Sequence, residues 1–539
     1  MFLPTSMTNR RKFLERTALG TGSVLFLPGL LTSCTDHRIP DPGTPVVGSP
    51  VVGAGDGPTF DVNDDLKIVV TNGLNKVPIV GEILSTLLEI LWPESAKDVW
   101  GEVKEQVEAV VNQKISDAVY RLVEEDLKGL NNVLTLYVNE TKNGNAATKL
   151  TVWINTRFAF VNALPHFQPT QINDAILALP LFAQFANMYL SVLRDGLIGG
   201  KSWGMTDGDL EQLSTDLKSA IHDFVKYVQD TAETGYANLK ASAPQNGNTC
   251  DPYRTLNPYE RKMTLAALDY TVNWPNYDVT EYPNGGYTEL TRQIYSDVVG
   301  TCYGNFTPQE LSTMHPTIAV PTQLPTQITV WGGQAIIATK VTYPKDGGPG
   351  GVTEDRQGVP CCEGTTDGPL GGTVTIPNPL TNPIVKVIYN LDQLDAANDL
   401  TFVTVQFVFA DGTYSPMFGG RDDSPFGTGR QKTDWPTPAT VTFKDHALSL
   451  IHSNNYGNGD LKFMAGVALG FKYEPHPTST LRALRFLYVR SPQEQSVAEF
   501  VSVHSTQAVA TNLLSEEAEL KAARQAYWAS LQARAAAIK

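Results

Sequence analysis

The stretch AILALPLFAQFANMYLSVL, residues 175–193, contains no charged side chain, and only Gln184, Asn187 and Ser191 in it are clearly polar. A helix that is apolar on all sides must be wrapped by other helices or lie in lipid. At a rise of ~1.5 Å per residue it would be roughly 28 Å long, close to the hydrocarbon thickness of a bilayer. The segment therefore predicts the central helix of a bundle, and it is also long enough to cross a membrane.

Amphipathic helices are predicted on both sides of this segment. From Val103 to Tyr137 apolar residues recur at steps of three and four, as one helical face requires, with a break near Ser116. After the apolar stretch, Thr206 and Asp209 are placed for a capping box that begins a further helix. We therefore expect a bundle of about seven helices between residues 66 and 275.

The period of the apolar pattern changes to two after about residue 288. The run FVTVQFVF, residues 402–409, is typical of a strand, and Asp411-Gly412 after it is a common hairpin turn. Pairs of glycines separate further short strands. An all-β domain is therefore predicted after the bundle, and the alanine-rich segment 515–539 predicts a C-terminal helix.

The chain length and the net charge restrict the number of domains and the classes of partner. A chain of 539 residues is too long for one ordinary core and predicts two or three domains. The formal net charge of −15 argues against nucleic acid as a partner, since its phosphates would repel such a surface.

The N-terminus carries the features of an export signal. Arg10 and Arg11 open the run RRKFL, which resembles a twin-arginine signal, and an apolar stretch follows and ends in LTSC at Cys34. The sequence LTSC resembles a lipobox, which predicts lipidation of Cys34; the alternative is an ordinary signal peptide with a chance cysteine. We expect a signal peptide over residues 1–34 and a flexible Gly/Pro-rich linker over 35–60.

Four further cysteines, Cys250, Cys302, Cys361 and Cys362, are candidates for disulfides in an oxidising compartment, with three connectivities open. The adjacent pair lacks the spacing of a zinc site, and the eight histidines are scattered. No metal and no cofactor are predicted.

One motif suggests an enzyme. Gly200–Gly204 satisfies the GxSxG pattern of a nucleophile elbow. That elbow needs a strand before the serine, whereas a long apolar helix precedes Ser202. We therefore predict no catalytic residue and no enzyme.

Three blocks, in this order, resemble domain I and the start of domain II of the three-domain insecticidal delta-endotoxins, or crystal toxins. Residues 181–204 (LFAQFANMYLSVLRDGLIGGKSWG) are similar to the central-helix block, 257–278 (NPYERKMTLAALDYTVNWPNYD) to the last domain I helix, and 290–295 (LTRQIY) to the strand that opens domain II. Residues 384–420 resemble β-prism strands of jacalin-type lectins, a fold that domain II also adopts.

The resemblance implies an α+β multidomain fold. A seven-helix pore-forming bundle is expected at 61–280, a jacalin-like, receptor-binding β-prism at 281–480, and a tail with a helix at 481–539. The family's third domain, a β-sandwich, finds no room after Glu474.

The resemblance also implies a pore-forming toxin. The hairpin of the fourth and fifth helices, about 151–168 and 173–194, would enter a target-cell membrane after the protein binds a surface receptor, either protein or glycan, and a homo-oligomer could form in the membrane. The expected insertion residues are Leu181, Phe182, Phe185, Ala186, Asn187, Tyr189 and Leu190. Asn187 would face a pore lumen or partner helices, and Tyr189 replaces the family's usual histidine.

A second class of function stays open: a surface lipoprotein lectin or adhesin that keeps the bundle as a scaffold. Val467 stands where sugar-binding lectins carry an aspartate. Because an aliphatic side chain cannot accept hydrogen bonds from sugar hydroxyls, we expect binding specificity in loops such as Asp346–Gly351 and Gly420–Arg430 instead.

Overall fold

The computed structural model describes residues 62–539 apart from 76, 94–97, 245–249, 303–310, 334, 359–370, 394–399, 421–437, 457–462, 476, 493–495 and 505–506. The predictions for Arg10, Arg11, Cys34, Cys361 and Cys362, and for the loop after Gly420, lie outside the described residues. Helices come first, strands follow, and helices return at the C-terminus.

The first part of the described chain is helical, as predicted. The bounds are α1 Val62–Leu74, α2 Glu82–Leu91, α3 Val99–Val111, α4 Asp117–Asn143, α5 Ala146–Phe167, α6 Ile172–Trp203, α7 Asp207–Ser242, α8 Asp251–Met263 and α9 Asp269–Asn273. A π-helical turn, Thr264–Leu268, joins α8 to α9, and the 3₁₀ turn Trp274–Tyr277 follows.

Two local predictions within the bundle are confirmed. The break near Ser116 exists, because α3 ends at Val111 and Ser116 is the N-cap of α4. The capping box of α7 also forms: the Thr206 side chain accepts from the Asp209 N–H, and the Asp209 carboxylate accepts from the Thr206 N–H. At α7, local polar side chains thus satisfy first-turn N–H groups that lack partners within the helix.

The apolar segment forms the core of the bundle. It lies within α6, and every residue from Ala175 to Gly196 is buried. The helix packs against α3, α5 and α7. The prediction of a central buried helix is confirmed.

The strands of the β region are β1 Gln293–Tyr295, β2 Gln327–Gly332, β3 Ile336–Thr342, β4 Glu354–Gly358, β5 Gly372–Thr375, β6 Ile384–Gln393, β7 Leu400–Phe409, β8 Phe418–Gly419, β9 Ala439–Thr442, β10 His446–Tyr456 and β11 Phe463–Tyr473. They form three antiparallel sheets, ordered β1-β11-β10, β4-β3-β2-β5 and β8-β7-β6-β9. Phe471, Ile328 and Phe407, one from each sheet, belong to a single buried core, as in a β-prism. The predicted strand is β7, and the Gly412 N–H closes its turn onto the Phe409 carbonyl at 2.9 Å.

The helix predicted over 515–539 is present as Glu517–Ile538, and further helices precede it in the C-terminal segment. The described residues there form α10 Pro477–Arg490, α11 Val497–His504, α12 Gln507–Ser515 and α13 Glu517–Ile538. These helices pack on α1, α2 and α4, and they bury Leu487, Tyr488, Phe500 and Trp528 in the core of the bundle. The segment is therefore part of the helical body.

Candidate functional site

The candidate site is the antiparallel hairpin of α5 and α6. Both helices are longer than predicted, and four residues, 168–171, connect them. All seven residues expected to enter a membrane face the interior of the bundle. Their exposed fractions are 0% for Leu181, Phe182, Phe185, Ala186, Asn187 and Leu190, and 8% for Tyr189.

Aromatic side chains cover α6 on two sides. Phe182 meets Phe224 of α7 edge-on, with ring centroids 5.2 Å apart. Phe185 stacks on Phe167 of α5 at 4.4 Å. Each such pair contributes about 0.5–1.5 kcal/mol beyond the burial of its area. The neighbouring helices thus supply the apolar surroundings that α6 needs in water.

The few polar side chains in the apolar segment of α6 form hydrogen bonds inside the protein. The Trp274 indole N–H donates to Asn187 Oδ1 at 2.8 Å, and the Asn187 amide donates to Gln184 Oε1 at 3.1 Å. The Ser191 hydroxyl donates to the Asn187 carbonyl at 2.7 Å. In this structure Asn187 therefore faces a partner segment, the 3₁₀ turn after α9.

Tyr189 is 8% exposed and packs against α5. Its ring stacks on Phe160 of α5, with centroids 5.5 Å apart. Its hydroxyl lies beside Arg157, which donates to Asp216 of α7 at 2.5 Å. The tyrosine therefore joins the aromatic shell and also reaches the ion pair that links α5 to α7.

Asp195, just beyond the apolar segment, ties α6 to two other helices. Its Oδ2 accepts from the Gly81 N–H at the start of α2 (2.9 Å) and from the Tyr137 hydroxyl of α4 (3.0 Å). Burial, and then the charge of Asp195, raise the pKa of Tyr137 well above its ordinary value, so Tyr137 stays a donor. Release of α6 from the bundle must break both hydrogen bonds.

The GxSxG motif lies in the last turn of α6. The Ser202 hydroxyl donates to the Gly199 carbonyl at 2.7 Å, and Gly204 ends the helix with a positive φ of 103°. A nucleophile elbow requires a strand-to-helix turn. The local structure is a helix C-terminus, which does not present the serine in that way.

The outer face of α5 carries an apolar stripe that sequence reasoning missed. Ile154, Phe158 and Val161 are exposed by 37%, 62% and 45%. Their spacing of four and three residues places them on one face of the helix. α5 contains no acidic residue, although the chain has a net charge of −15. The signal was present as apolar residues outside the core-facing positions, but only the structure shows which face is outside.

A buried ion cluster joins the bundle to the prism. Asp269 at the start of α9 accepts from Lys67 of α1 at 2.9 Å and from Arg292, before β1, at 2.9 and 2.5 Å. Burial alone would raise the pKa of Asp269, but the charges of Arg292 and Lys67 hold it well below its usual range. The carboxylate therefore stays ionised and paired.

His446 of β10 completes this cluster from the prism side. Its Nδ1 lies 2.6 Å from the Lys444 carbonyl, which can only accept, so Nδ1 carries the proton. Its Nε2 then accepts from Arg292 at 2.8 Å. Burial, reinforced by the charges of Arg292 and Lys67, holds the pKa of His446 well below its ordinary value. The imidazole is a neutral acceptor at the junction.

A disulfide also crosses the junction. Cys250, at the start of α8, is bonded to Cys302, after β1, with Cα atoms 5.9 Å apart. Among the four candidate cysteines the structure thus pairs Cys250 with Cys302, while Cys361 and Cys362 lie outside the described residues. Both cysteines are buried in a small cluster of their own.

Val467 is not placed to contact a ligand. Its backbone exchanges two hydrogen bonds of 2.8 Å with Val299, and its side chain is fully buried in the prism core. The expectation that this position offers no hydrogen bond to a sugar is consistent with that orientation.

This chain is similar to known proteins in sequence and in fold. The family described as delta endotoxin, N-terminal domain, matches residues 68–278. The pesticidal crystal protein Cry1Id of Bacillus thuringiensis is 31% identical over 240 residues, which are 42% of this chain and 32% of that protein. Cry8Ba of B. thuringiensis serovar kumamotoensis is 30% identical over 267 residues, 47% of this chain and 22% of its own length. The matches thus span a third or less of these relatives.

Solved structures extend the likeness of fold to both halves of the chain. The insecticidal crystal protein Cry7Ca1 of B. thuringiensis aligns with a TM-score of 0.60 at 19% identity, over 76% of this chain and 75% of that one. PirB aligns with a TM-score of 0.61 at 16% identity, over 78% of this chain and 96% of its own. Residues 68–278 therefore match the delta-endotoxin N-terminal domain family, and in this chain that helical domain is followed by a β-prism.

Proposed function

We propose that this protein is a pore-forming toxin whose α5–α6 hairpin enters a target-cell membrane. The observation that carries the proposal is the pairing of two unlike helices. The apolar segment Ala175–Leu193 of α6 is buried throughout, whereas its partner α5 presents Ile154, Phe158 and Val161 to solvent on a helix without acidic residues.

The physical case rests on the surroundings of α6. Among the described residues it is the one helix long and apolar enough to cross a membrane, although the core helix of a soluble protein passes the same test. In water its surface is covered by α3, α5 and α7. Lipid offers an equally apolar solvent with no water to compete for the backbone, so the packed and inserted states can lie close in free energy.

The exposed apolar stripe of α5 is suited to make the first contact with the membrane. An exposed apolar stripe on a basic helix is attracted to a bilayer surface by both apolar burial and charge. Lys149 lies on α5, which has no carboxylate of its own, whereas Arg157 and His166 pair with Asp216 of α7 and Asp126 of α4. This favours α5 as the side of the bundle that meets the membrane.

The prism and the N-terminus supply targeting in this proposal. Loops of the β-prism, including Asp346–Gly351, bind a cell-surface receptor, and the inserted form is a homo-oligomer. Export through the signal at Arg10 and Arg11, with lipidation at Cys34, places the protein at the bacterial envelope or outside the cell.

The alternative is a surface lipoprotein lectin or adhesin. Packing of α10–α13 on the bundle favours it, because these helices add buried contacts that hold the bundle closed. The buried Val467 weighs against a lectin pocket at the terminal hairpin.

Dye release from liposomes of anionic phospholipid, with and without limited proteolysis, tests the proposal. Phe158→Asp places a charge on the α5 stripe, where 62% exposure leaves the fold intact. We expect release to fall at least about tenfold, because a carboxylate resists transfer to lipid. Leu380→Asp, at an exposed residue of the prism (75%), is the matched control and should release dye like the parent protein.

Two results would count against the pore. Absence of release from the parent protein under every condition would favour the adhesin. Full release by a folded Phe158→Asp variant would mean that the α5 stripe does not approach the membrane.

A further inference from the structure

The helices α10–α13 lie against the part of the bundle that holds α6. α10 packs on α1 and α2, and α13 packs on α10 and α4. Asp195 of α6 is hydrogen-bonded to α2 through the Gly81 N–H at its N-cap, and to α4 through the Tyr137 hydroxyl. The helices that cover the outside of the bundle here therefore contact the same two helices that hold α6.

The contacts with α2 lead to the turn that contains Gly81. The Tyr527 hydroxyl of α13 donates to the Ser85 carbonyl at 3.2 Å, and the Ser85 hydroxyl donates to the Arg490 carbonyl of α10 at 2.7 Å. Arg490 also pairs with Glu89, one turn further along α2, at 3.2 Å. The Ser85 N–H in turn donates to the Gly81 carbonyl at 2.9 Å. Displacement of α13 thus removes support from the turn whose N-cap binds α6.

The contacts with α4 reach the turn that contains Tyr137. Lys539, directly after α13, lies 2.7 Å from the buried Glu140. The ammonium of Lys142 lies over the Trp528 ring, 4.7 Å from its centroid. Trp528 is 4% exposed and belongs to the core of the bundle. α13 is therefore fastened to both helices that bind Asp195.

α13 is held less firmly than α6. Five of its 22 residues are buried, and they follow one narrow stripe: Leu520, Arg524, Trp528, Leu531 and Ala535. A cavity of about 450 Å³ opens between α2, α10 and α13, where the exposed Ala523 and Ala526 leave space unfilled. In α6, by contrast, every residue from Ala175 to Gly196 is buried. Elements with few buried contacts open at a lower free energy, so α13 should open before α6.

We propose that α10–α13 form a clasp on the bundle, and that α13 must leave α2 and α4 before α6 can be released. This inference rests on the proposed pore function, because α6 is the helix that the pore function inserts. The closed protein is held by two sets of contacts in series. Those of α13 open first, and those of Asp195 open once α2 and α4 have lost their support. The clasp thereby delays insertion until α13 is lifted.

Hydrogen exchange of the full chain, measured by mass spectrometry without membranes, tests the clasp. Trp528→Ala removes the main buried ring of α13. Amides of α13, of the first turn of α2 and of α6 around Asp195 should then exchange at least about tenfold faster. Tyr527→Phe removes only the hydroxyl that binds α2 and should give the same pattern with a change of about threefold. Phe418→Ala, in the prism at the same 4% exposure as Trp528, is the matched control and should leave these amides unchanged.

Dye release from anionic liposomes measures the delay of insertion. Trp528→Ala should release dye at least about tenfold faster than the parent protein, whereas Phe418→Ala should match the parent. Absence of release from the parent and from every variant would refute the pore. Hydrogen exchange would still decide whether α13 controls the opening of the bundle, so the two failures are distinguishable.

Three results would overturn the clasp. Faster exchange confined to α13 would show that α13 can leave without loosening α2 or α6, since coupling requires that the state of one element biases the other. Unchanged exchange in both Trp528→Ala and Tyr527→Phe would mean that α13 is not the first element to open. With a parent that releases dye, release by folded Trp528→Ala at the parent rate would mean that α13 does not delay insertion.

Discussion

Replacement of His446 by glutamine should flatten the pH dependence of stability between pH 6.5 and 4.5. In the folded protein the neutral imidazole is buried, with Arg292 donating to its Nε2 and the Lys444 carbonyl accepting from its Nδ1. Its other near neighbours are the rings of Phe443 and Tyr473. A proton on Nε2 would face a guanidinium at 2.8 Å, so the folded state resists protonation.

The sign and the size follow from proton linkage. The unfolded chain takes up a proton at this histidine near its ordinary pKa of 6.5, whereas the folded pKa lies well below that value. Stability from this group is therefore complete well above pH 6.5 and is lost as the pH falls through that value, at a rate that approaches about 1.4 kcal/mol per pH unit. Between pH 6.5 and 4.5 the loss is at most about 2.3 kcal/mol, the limit for an imidazole that stays neutral in the folded protein over this range. Asp269 stays ionised over this window, because the pKa of that carboxyl is held well below its usual range.

Urea unfolding followed by tryptophan fluorescence at pH 7.5, 6.5, 5.5 and 4.5 measures the effect. The glutamine oxygen can accept from Arg292 but cannot titrate, so the variant should lose up to about 2.3 kcal/mol less than the parent between pH 6.5 and 4.5. His222→Gln, at an exposed position of α7, should follow the parent curve. A difference between parent and His446→Gln that stays constant across the four pH values would refute the neutral, buried imidazole.

Three further changes test other parts of the structure. Cys250→Ser removes a disulfide between residues with a sequence separation of 52 and should lower the free energy of unfolding by about 4 kcal/mol. A reductant should destabilise the parent but not the variant, and equal sensitivity of the two proteins would contradict a stabilising disulfide. Trp528→Ala removes a side chain that is 4% exposed and should cost about 3–5 kcal/mol in thermal or urea unfolding, while an unchanged midpoint would mean that α13 does not stabilise the bundle. Cys34→Ala should move the protein from the membrane fraction of the producing cell to the soluble fraction, because two or more acyl chains anchor firmly; unchanged fractionation would show that the cysteine is not lipidated.

Local chemistry made part of the fold readable from the sequence. The run 175–193 could only be a buried or membrane helix, because it has no polar face. Thr206 and Asp209 marked the start of α7, and the alternation in 402–409 marked β7. Each of these signals acts over a few residues, through one helical turn or one hairpin, so the amino-acid order contains it in full.

Other features depend on residues far apart in the chain, and only the tertiary structure decided them. Arg292 and His446 are 154 residues apart and meet because β1 pairs with β11 beside β10. The choice of Cys302 as the partner of Cys250 depends on the same junction. The exposure of Phe158 was likewise settled by tertiary packing, since α4 and α6 cover other faces of α5 and leave this one to solvent. A sequence pattern shows that a helix has an apolar face, but which face is covered, and by what, follows from the packing of elements distant in sequence.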